Sequence, residues 1–131
     1  MTDLEQAQKD GIAPWDLIVP ELSDFHVSVF RDRFPVTRGH LLFVPKHNTL
    51  DIIQQAFYSA TLHGNLLVKT GECDAYNVGI NMGSAAGQTV MYPHVHLIPR
   101  RLGDSANPTG GVRGVIHGQA DYKSGGYQLP K

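Results

Sequence analysis

The spacing of apolar and polar positions changes several times along the chain, and each change marks an element. Phe25-His26-Val27-Ser28-Val29-Phe30 is rich in β-formers and partly alternating, which predicts a strand. Pro35, Arg38 and Gly39 mark a turn, and His40-Leu41-Leu42-Phe43-Val44 predicts a second strand stopped by Pro45. The two are close enough in sequence to pair as antiparallel neighbours. From about Asn48 to Thr70 the period becomes helical, with Leu50, Ile53, Phe57, Ala60, Gly64 and Leu67 forming one apolar stripe at steps of three and four. Asn48 or Thr49 can cap that helix and Gly71 can end it. Gly64 costs it about 1 kcal/mol of propensity relative to alanine, which predicts a close packing contact at that point. Tyr76 to Asn81 predicts a third strand and His94 to Ile98 a fourth, ended by Pro99. Val112 to Ile116 predicts a short fifth in an otherwise loop-rich tail, and Thr2-Asp3-Leu4-Glu5 has the capping-box form that opens a short N-terminal helix. Antiparallel strands beside one long helix define an α+β domain.

Composition narrows the class. At 131 residues, with 41% hydrophobic and 18% charged residues, the chain has the size and make-up of one globular domain, expected to span 1–131. A formal charge of −1 gives no basic footprint, so no nucleic-acid partner is expected. The longest clearly apolar run, Leu41 to Val44, is far short of the roughly 18 residues of a membrane span. Neither a signal peptide nor a disulfide framework is visible, Cys73 being the single cysteine, and the expected compartment is cytoplasmic. Charge is uneven: residues 1–24 hold six acids against Lys9, whereas residues 90–131 hold five bases against Asp104 and Asp121. That basic second half suits an anionic small ligand or simply a solvated face.

The chemistry concentrates in Gly87-Gln88-Thr89-Val90-Met91-Tyr92-Pro93-His94-Val95-His96-Leu97-Ile98-Pro99-Arg100. On a strand, His94 and His96 share a face about 6.6 Å apart, while Val95 and Leu97 turn to the other. Paired imidazoles fit three roles: structural or surface histidines, metal ligands, or a nucleophile with an acid/base partner. Upstream, Gly83-Ser84-Ala85-Ala86-Gly87 is small enough for backbone amides to approach a phosphate, and Gln88 and Thr89 add neutral donors. The loop offers no third or fourth metal ligand, so phosphate chemistry is better supported and no metal site is expected.

This segment resembles the signature of the histidine triad (HIT) superfamily of nucleotide hydrolases and transferases, G-Q-T/S-V-x-H-x-H-x-H followed by a hydrophobic pair and Pro-Arg. In that register His94 falls on the second, nucleophilic histidine and His96 on the third, while Tyr92 stands where the family usually has the first. Phe30 to Lys46 resembles the family's strand, D-x-x-P-x-x-x-G-H turn and returning strand; Asn81-Met82-Gly83 resembles its N-x-G element. Asn107 to Ile116 resembles a stretch of a bacterial-type branch, so the best-matched core is 25–116.

The resemblance implies an antiparallel sheet of about five strands with one long and one short helix. It implies attack by His94 on the α-phosphorus of a nucleoside phosphoramidate or dinucleoside polyphosphate, forming a nucleotidyl-histidine that water then opens. His96 and Gln88 would assist at the phosphate, and Asp32, Asn81, Gly87 and Thr89 would bind substrate, Asp32 through the ribose hydroxyls. His40 and Tyr92 would support from behind. Read alone, Asp32 is equally a turn-capping aspartate, His40 a core histidine, and Arg100 either a phosphate ligand or the start of a loop. His26, His47, His63 and His117 carry no motif and are expected to be structural or surface residues. The implied partners are an AMP-like nucleotide and a second copy in a homodimer. No cofactor is required, although a divalent cation can accompany a polyphosphate. The rival readings are a nucleotidyltransferase, a nucleotide-binding module weakened by Tyr92, and a metal-binding stress protein.

Overall fold

Thr2 begins the first helix as its sequence predicts. Its Oγ1 accepts from the Glu5 N–H at 3.1 Å, satisfying a first-turn amide, and α1 runs over Asp3–Lys9. The computed structural model describes residues 1–124. After α1 come β1 (Val27–Arg31), β2 (Leu41–Pro45), α2 (Leu50–Lys69), β3 (Ala75–Ile80) and β4 (Val95–Arg100), all within a unit spanning Met1–Arg100. The strands form one antiparallel sheet in the order β1-β2-β4-β3. Among the described residues, no helix is long and apolar enough to cross a membrane.

Period-two alternation assigns the faces. Val27 and Val29 of β1, Leu41 and Phe43 of β2, and Val95 and Leu97 of β4 form one buried cluster with Ala56 and Ala60 of α2. Phe30, Leu42 and Val44 turn the other way, packing with Leu4, Ala7, Ala13 and Tyr92, so α1 closes part of the second face. His96 is the Cα partner of Leu42 and shares that second face. The sheet is thus covered by the long helix on one side and carries its chemistry on the other.

The helical stripe is as expected through Ile53, Phe57, Ala60, Gly64 and Leu67, with Ala56 added and Leu50, the first helical residue, 76% exposed. Small residues at successive turns bring the helix backbone close to the sheet. Gly64 is the closest approach, since a Cβ there would meet the Tyr76 ring at 2.8 Å. That ring is anchored, its hydroxyl donating to Asn65 Oδ1 at 2.6 Å. Gly64→Ala is therefore expected to destabilise by about 1–2 kcal/mol, overpacking outweighing the gain in helix propensity. A urea midpoint at or above that of the wild type would show that the ring yields.

Two strand expectations are corrected. The sheet has four strands, because Gly111–Val115 forms a 3₁₀ turn and not a fifth strand. Its apolar residues Val112 and Val115 are exposed, and β-formers without a ladder partner have nothing to hold them extended. The fourth strand begins at Val95, one residue past His94, and runs through Pro99 to Arg100. Proline is tolerated there because the pairing with β2 ends at Leu97, leaving β3 as the only neighbour.

Of the described residues, 101–124 belong to a second unit. Within it, Asn107 Nδ2 donates to Asp121 Oδ2 at 2.9 Å while its Oδ1 caps the Thr109 N–H. Gly110, at φ +87°, lies so close to Ala120 that a Cβ would overlap the Ala120 carbonyl oxygen.

Candidate active site

The second sheet face opens into a cavity of about 480 Å³ whose walls include Trp15, Asp32, Asn81, Thr89, His94 and His96. The start of β4 places the histidines. His94, just ahead of the strand, is 9% exposed, and its ring centroid lies 5.1 Å from that of His96. Of the residues expected at the site, Asp32, Asn81, Gly87, Gln88, Thr89, His94 and His96 all line this cavity.

Hydrogen-bond partners fix the proton on each ring. His94 Nδ1 lies 2.8 Å from the Tyr92 backbone oxygen. A carbonyl only accepts, so the proton is on Nδ1 and Nε2 keeps a free lone pair. A longer chain sets His96. The Val36 N–H donates to His40 Nδ1 at 3.2 Å, so the neutral ring of His40 carries its proton on Nε2. That Nε2 lies 2.9 Å from His96 Nδ1 and 3.4 Å from Asp32 Oδ2. His96 Nδ1 therefore accepts, and its proton is on Nε2. The two histidines hold opposite tautomers, one with a lone pair on Nε2 and the other with an Nε2–H donor.

Electrostatics keep both neutral. Burial pushes His94 below its ordinary range, against the opposing pull of the Tyr92 carbonyl and Asp32. Burial, reinforced by the neighbouring His94 and His40, pushes His96 down to about 4. His40 is also lowered by burial, with Asp32 opposing.

The small-residue loop closes on itself: Ala86 and Gln88 donate to the Gly83 carbonyl and Gly87 to that of Ser84, at 3.0–3.2 Å. Gly83 and Gly87, at φ +98° and +95°, allow this closure around the Ser84–Ala86 3₁₀ turn. Gln88 braces the loop, its Oε1 accepting from the Gly83 N–H at 2.7 Å and its Nε2 donating to the Val90 carbonyl at 3.1 Å. One amide hydrogen of Gln88 is left for the cavity it lines.

Asp32 takes the turn-capping role and adds a contact to His40. Oδ1 caps the turn by accepting from the Phe34 N–H at 2.8 Å, and Oδ2 faces His40. The Tyr92 side chain lies away from the cavity in the apolar cluster beneath α1, where its hydroxyl donates to the Pro45 carbonyl at 2.7 Å. Its support of His94 comes from the backbone carbonyl. Arg100 donates to Asn77 Oδ1 at 2.8 Å across β3 and β4, and His26, His47, His63 and His117 do not line the cavity.

No motif points to Trp15, which packs against His94 from the loop after α1, with ring centroids 4.8 Å apart. Nor does any single out Arg31 and Arg33, which line the cavity mouth, Arg33 paired with Asp16. Asp32, His40 and His96 each bring one ligand atom within 4.8 Å of the others, the kind of grouping that holds a cation. A metal on His40 Nε2 would move the ring proton to Nδ1, where it would meet the Val36 N–H, so the contacts of the three fit a hydrogen-bonded relay.

The fold and the paired histidines define a small α+β domain with a histidine-lined cavity, and similarity to known proteins gives its family. The HIT domain family matches residues 22–103, and the chain belongs to that family. It is 34% identical over 80 residues to the adenylylsulfatase HINT3 of Arabidopsis thaliana, covering 56% of this chain and 41% of that one. It is 35% identical over 77 residues to the asymmetrical bis(5'-nucleosyl)-tetraphosphatase of Schizosaccharomyces pombe, covering 53% and 42%. The chain thus spans about two-fifths of the length of these two curated relatives. A solved HIT family protein from Bacillus anthracis superposes with a TM-score of 0.61 at 30% identity, covering 79% of this chain and 78% of that one. A zinc-bound histidine triad family protein from Mycobacterium smegmatis gives 0.60 at 30% identity, covering 65% and 67%.

Proposed function

We propose that this chain hydrolyses a nucleotidyl compound at its α-phosphorus through a covalent nucleotidyl-His94 intermediate. One observation carries the reading: His94 and His96 face the same cavity in opposite tautomers. The Nε2 lone pair of His94 forms a bond to phosphorus, and the bond to the leaving group breaks with its electron pair. Nδ1–H stays on the Tyr92 carbonyl, so the ring reaches phosphorus in the right orientation. His96 donates from Nε2 to a phosphoryl oxygen, and the Thr89 hydroxyl and the spare Gln88 N–H are further donors toward developing charge. Water then attacks phosphorus, returns the electron pair to Nε2 and releases the nucleotide.

Asp32 Oδ2 and Asn81 are the polar groups for the ribose, and Leu42, Phe34 and Val90 give the base an apolar wall. Gly87 leaves room at the phosphate. The substrate class is a nucleoside phosphoramidate or dinucleoside polyphosphate, the second supported by the bis(5'-nucleosyl)-tetraphosphatase relative from Schizosaccharomyces. The reaction needs no resident cofactor, and a divalent cation travels with a polyphosphate substrate.

The protein in this proposal is a cytoplasmic homodimer. Strand β3 is an edge with a half-exposed face, and Tyr58, Leu62 and Leu66 of α2 expose an apolar row at steps of four. Sedimentation is expected to give twice the chain mass; a monomer at micromolar concentration sinks that part.

The deciding experiment follows AMP release from adenosine phosphoramidate and diadenosine polyphosphates, with alkaline quenching to trap the acid-labile nucleotide on His94. Release together with a trapped adduct supports the proposal. AMP binding without release would leave a binding module, and release without an adduct would make His94 a general base on water.

A further inference from the structure

The adduct puts a positive charge where none exists before, and the structure surrounds that place unequally. Forming the Nε2–P bond with Nδ1–H retained turns the neutral His94 ring into an imidazolium. The bond to the leaving group breaks with its electrons, so the charge on the ring is gained only along the reaction coordinate. When water displaces the histidine, the electron pair returns to Nε2, the water proton passes to solvent, and the ring is neutral again.

Trp15 stands against that ring. Its centroid is 4.8 Å from that of His94 at an interplanar angle of 57°, within the range over which an indole attracts a cation. Aromatic packing holds the indole, with Phe30 at 6.2 Å and Tyr92 at 6.4 Å between centroids. Its backbone is tied as well: the Trp15 carbonyl accepts from Gln8 Nε2 at 3.4 Å, and Ala13 N–H donates to the Ala7 carbonyl at 3.1 Å. A loop residue fixed at both levels is already in position before the charge arises.

We propose that Trp15 is a catalytic residue that stabilises the nucleotidyl-imidazolium of His94 through its π face; the proposal rests on the covalent route above. An interaction with a charge that the ground state lacks raises the rate of adduct formation without tightening substrate binding.

The chain has a single tryptophan, so biosynthetic replacement by fluorinated tryptophans alters this position alone. Fluorine withdraws charge from the indole face with little change of shape. Single-turnover adduct formation is expected to slow stepwise with fluorine number, reaching about tenfold for a trifluoroindole, which matches a loss of about 1.4 kcal/mol. AMP affinity is expected to stay within about twofold across the series. The His94 titration, followed by NMR of the imidazole Cε1–H without any substrate, is expected to move down in step.

An adduct rate that ignores fluorine number overturns the proposal. So does a series in which AMP affinity falls while the saturated rate holds, because Trp15 is then a platform for the base. If the unsubstituted protein forms no adduct, the covalent route itself fails, and the substrate-free titration still shows whether Trp15 stabilises a cation on His94. Trp15→Phe gives an independent check, with a smaller rate loss than Trp15→Leu at comparable thermal midpoints.

Discussion

Replacing His94 by alanine is expected to abolish nucleotide release, with a loss in kcat of about 10⁴- to 10⁶-fold. The size of the effect follows from the division of labour in the cavity. In the proposed route the Nε2 lone pair of His94 attacks phosphorus, and His96 cannot take its place because its own Nε2 carries a proton. What survives in the variant is binding and charge stabilisation without a nucleophile, the residue of activity an enzyme keeps when its central group is removed. AMP affinity should change little, since the proposal assigns ribose and base to other walls of the cavity. The imidazole is small and faces a cavity, so the fold should tolerate the change, with a thermal midpoint within a few degrees of wild type as the control. Retention of more than about one-hundredth of wild-type kcat would exclude the covalent route. That outcome would favour direct attack by water, with His94 acting as a base.

Much of this arrangement is legible in the sequence because it depends on local period. Alternation along His94 to Ile98 already puts both histidines on one face, and Val95 and Leu97 are indeed buried on the other. The unfavourable Gly64 in a helix correctly signals a close neighbour, which is Tyr76. Properties that depend on distant partners are less readable. The tautomer of His96 is set by His40, 56 positions earlier, and ultimately by a backbone N–H at Val36. Trp15 lies in a loop with no period, and only the packing of Phe30 and Tyr92 brings it to His94. The glycine-rich loop is open to two readings for a related reason. Its composition permits an anion cradle and a self-closed turn equally, and the Gln88 side chain selects the closed form. Tyr92 is expected behind the site, and what the sequence does not show is that its backbone carbonyl meets His94 while its ring is buried beneath α1.

Replacement of His40 by phenylalanine is the second large effect, expected to lower kcat/KM by about 10- to 100-fold. Phenylalanine fills the space but breaks the chain from Val36 N–H through His40 to His96 Nδ1. Without that donor, His96 is free to carry its proton on either nitrogen, and the fraction presenting Nε2–H to the phosphate falls. Nitrogen-15 NMR of His96 should report one tautomer in the wild type and a mixture in the variant, a change that a packing defect alone would not cause. The pH dependence should move as well. His40 is one of the neighbours that push His96 down to about 4, and an open Nδ1 can accept a proton from water. The acid limb of kcat/KM is then expected to shift to higher pH, toward the ordinary histidine value of about 6.5, with more of the activity lost in mild acid. His40→Gln, whose amide N–H can occupy the position of Nε2–H, should recover part of both the rate and the tautomer. Equal activity and an unmoved acid limb in the phenylalanine variant would show that His40 serves only as core, and that His96 takes its tautomer from the substrate.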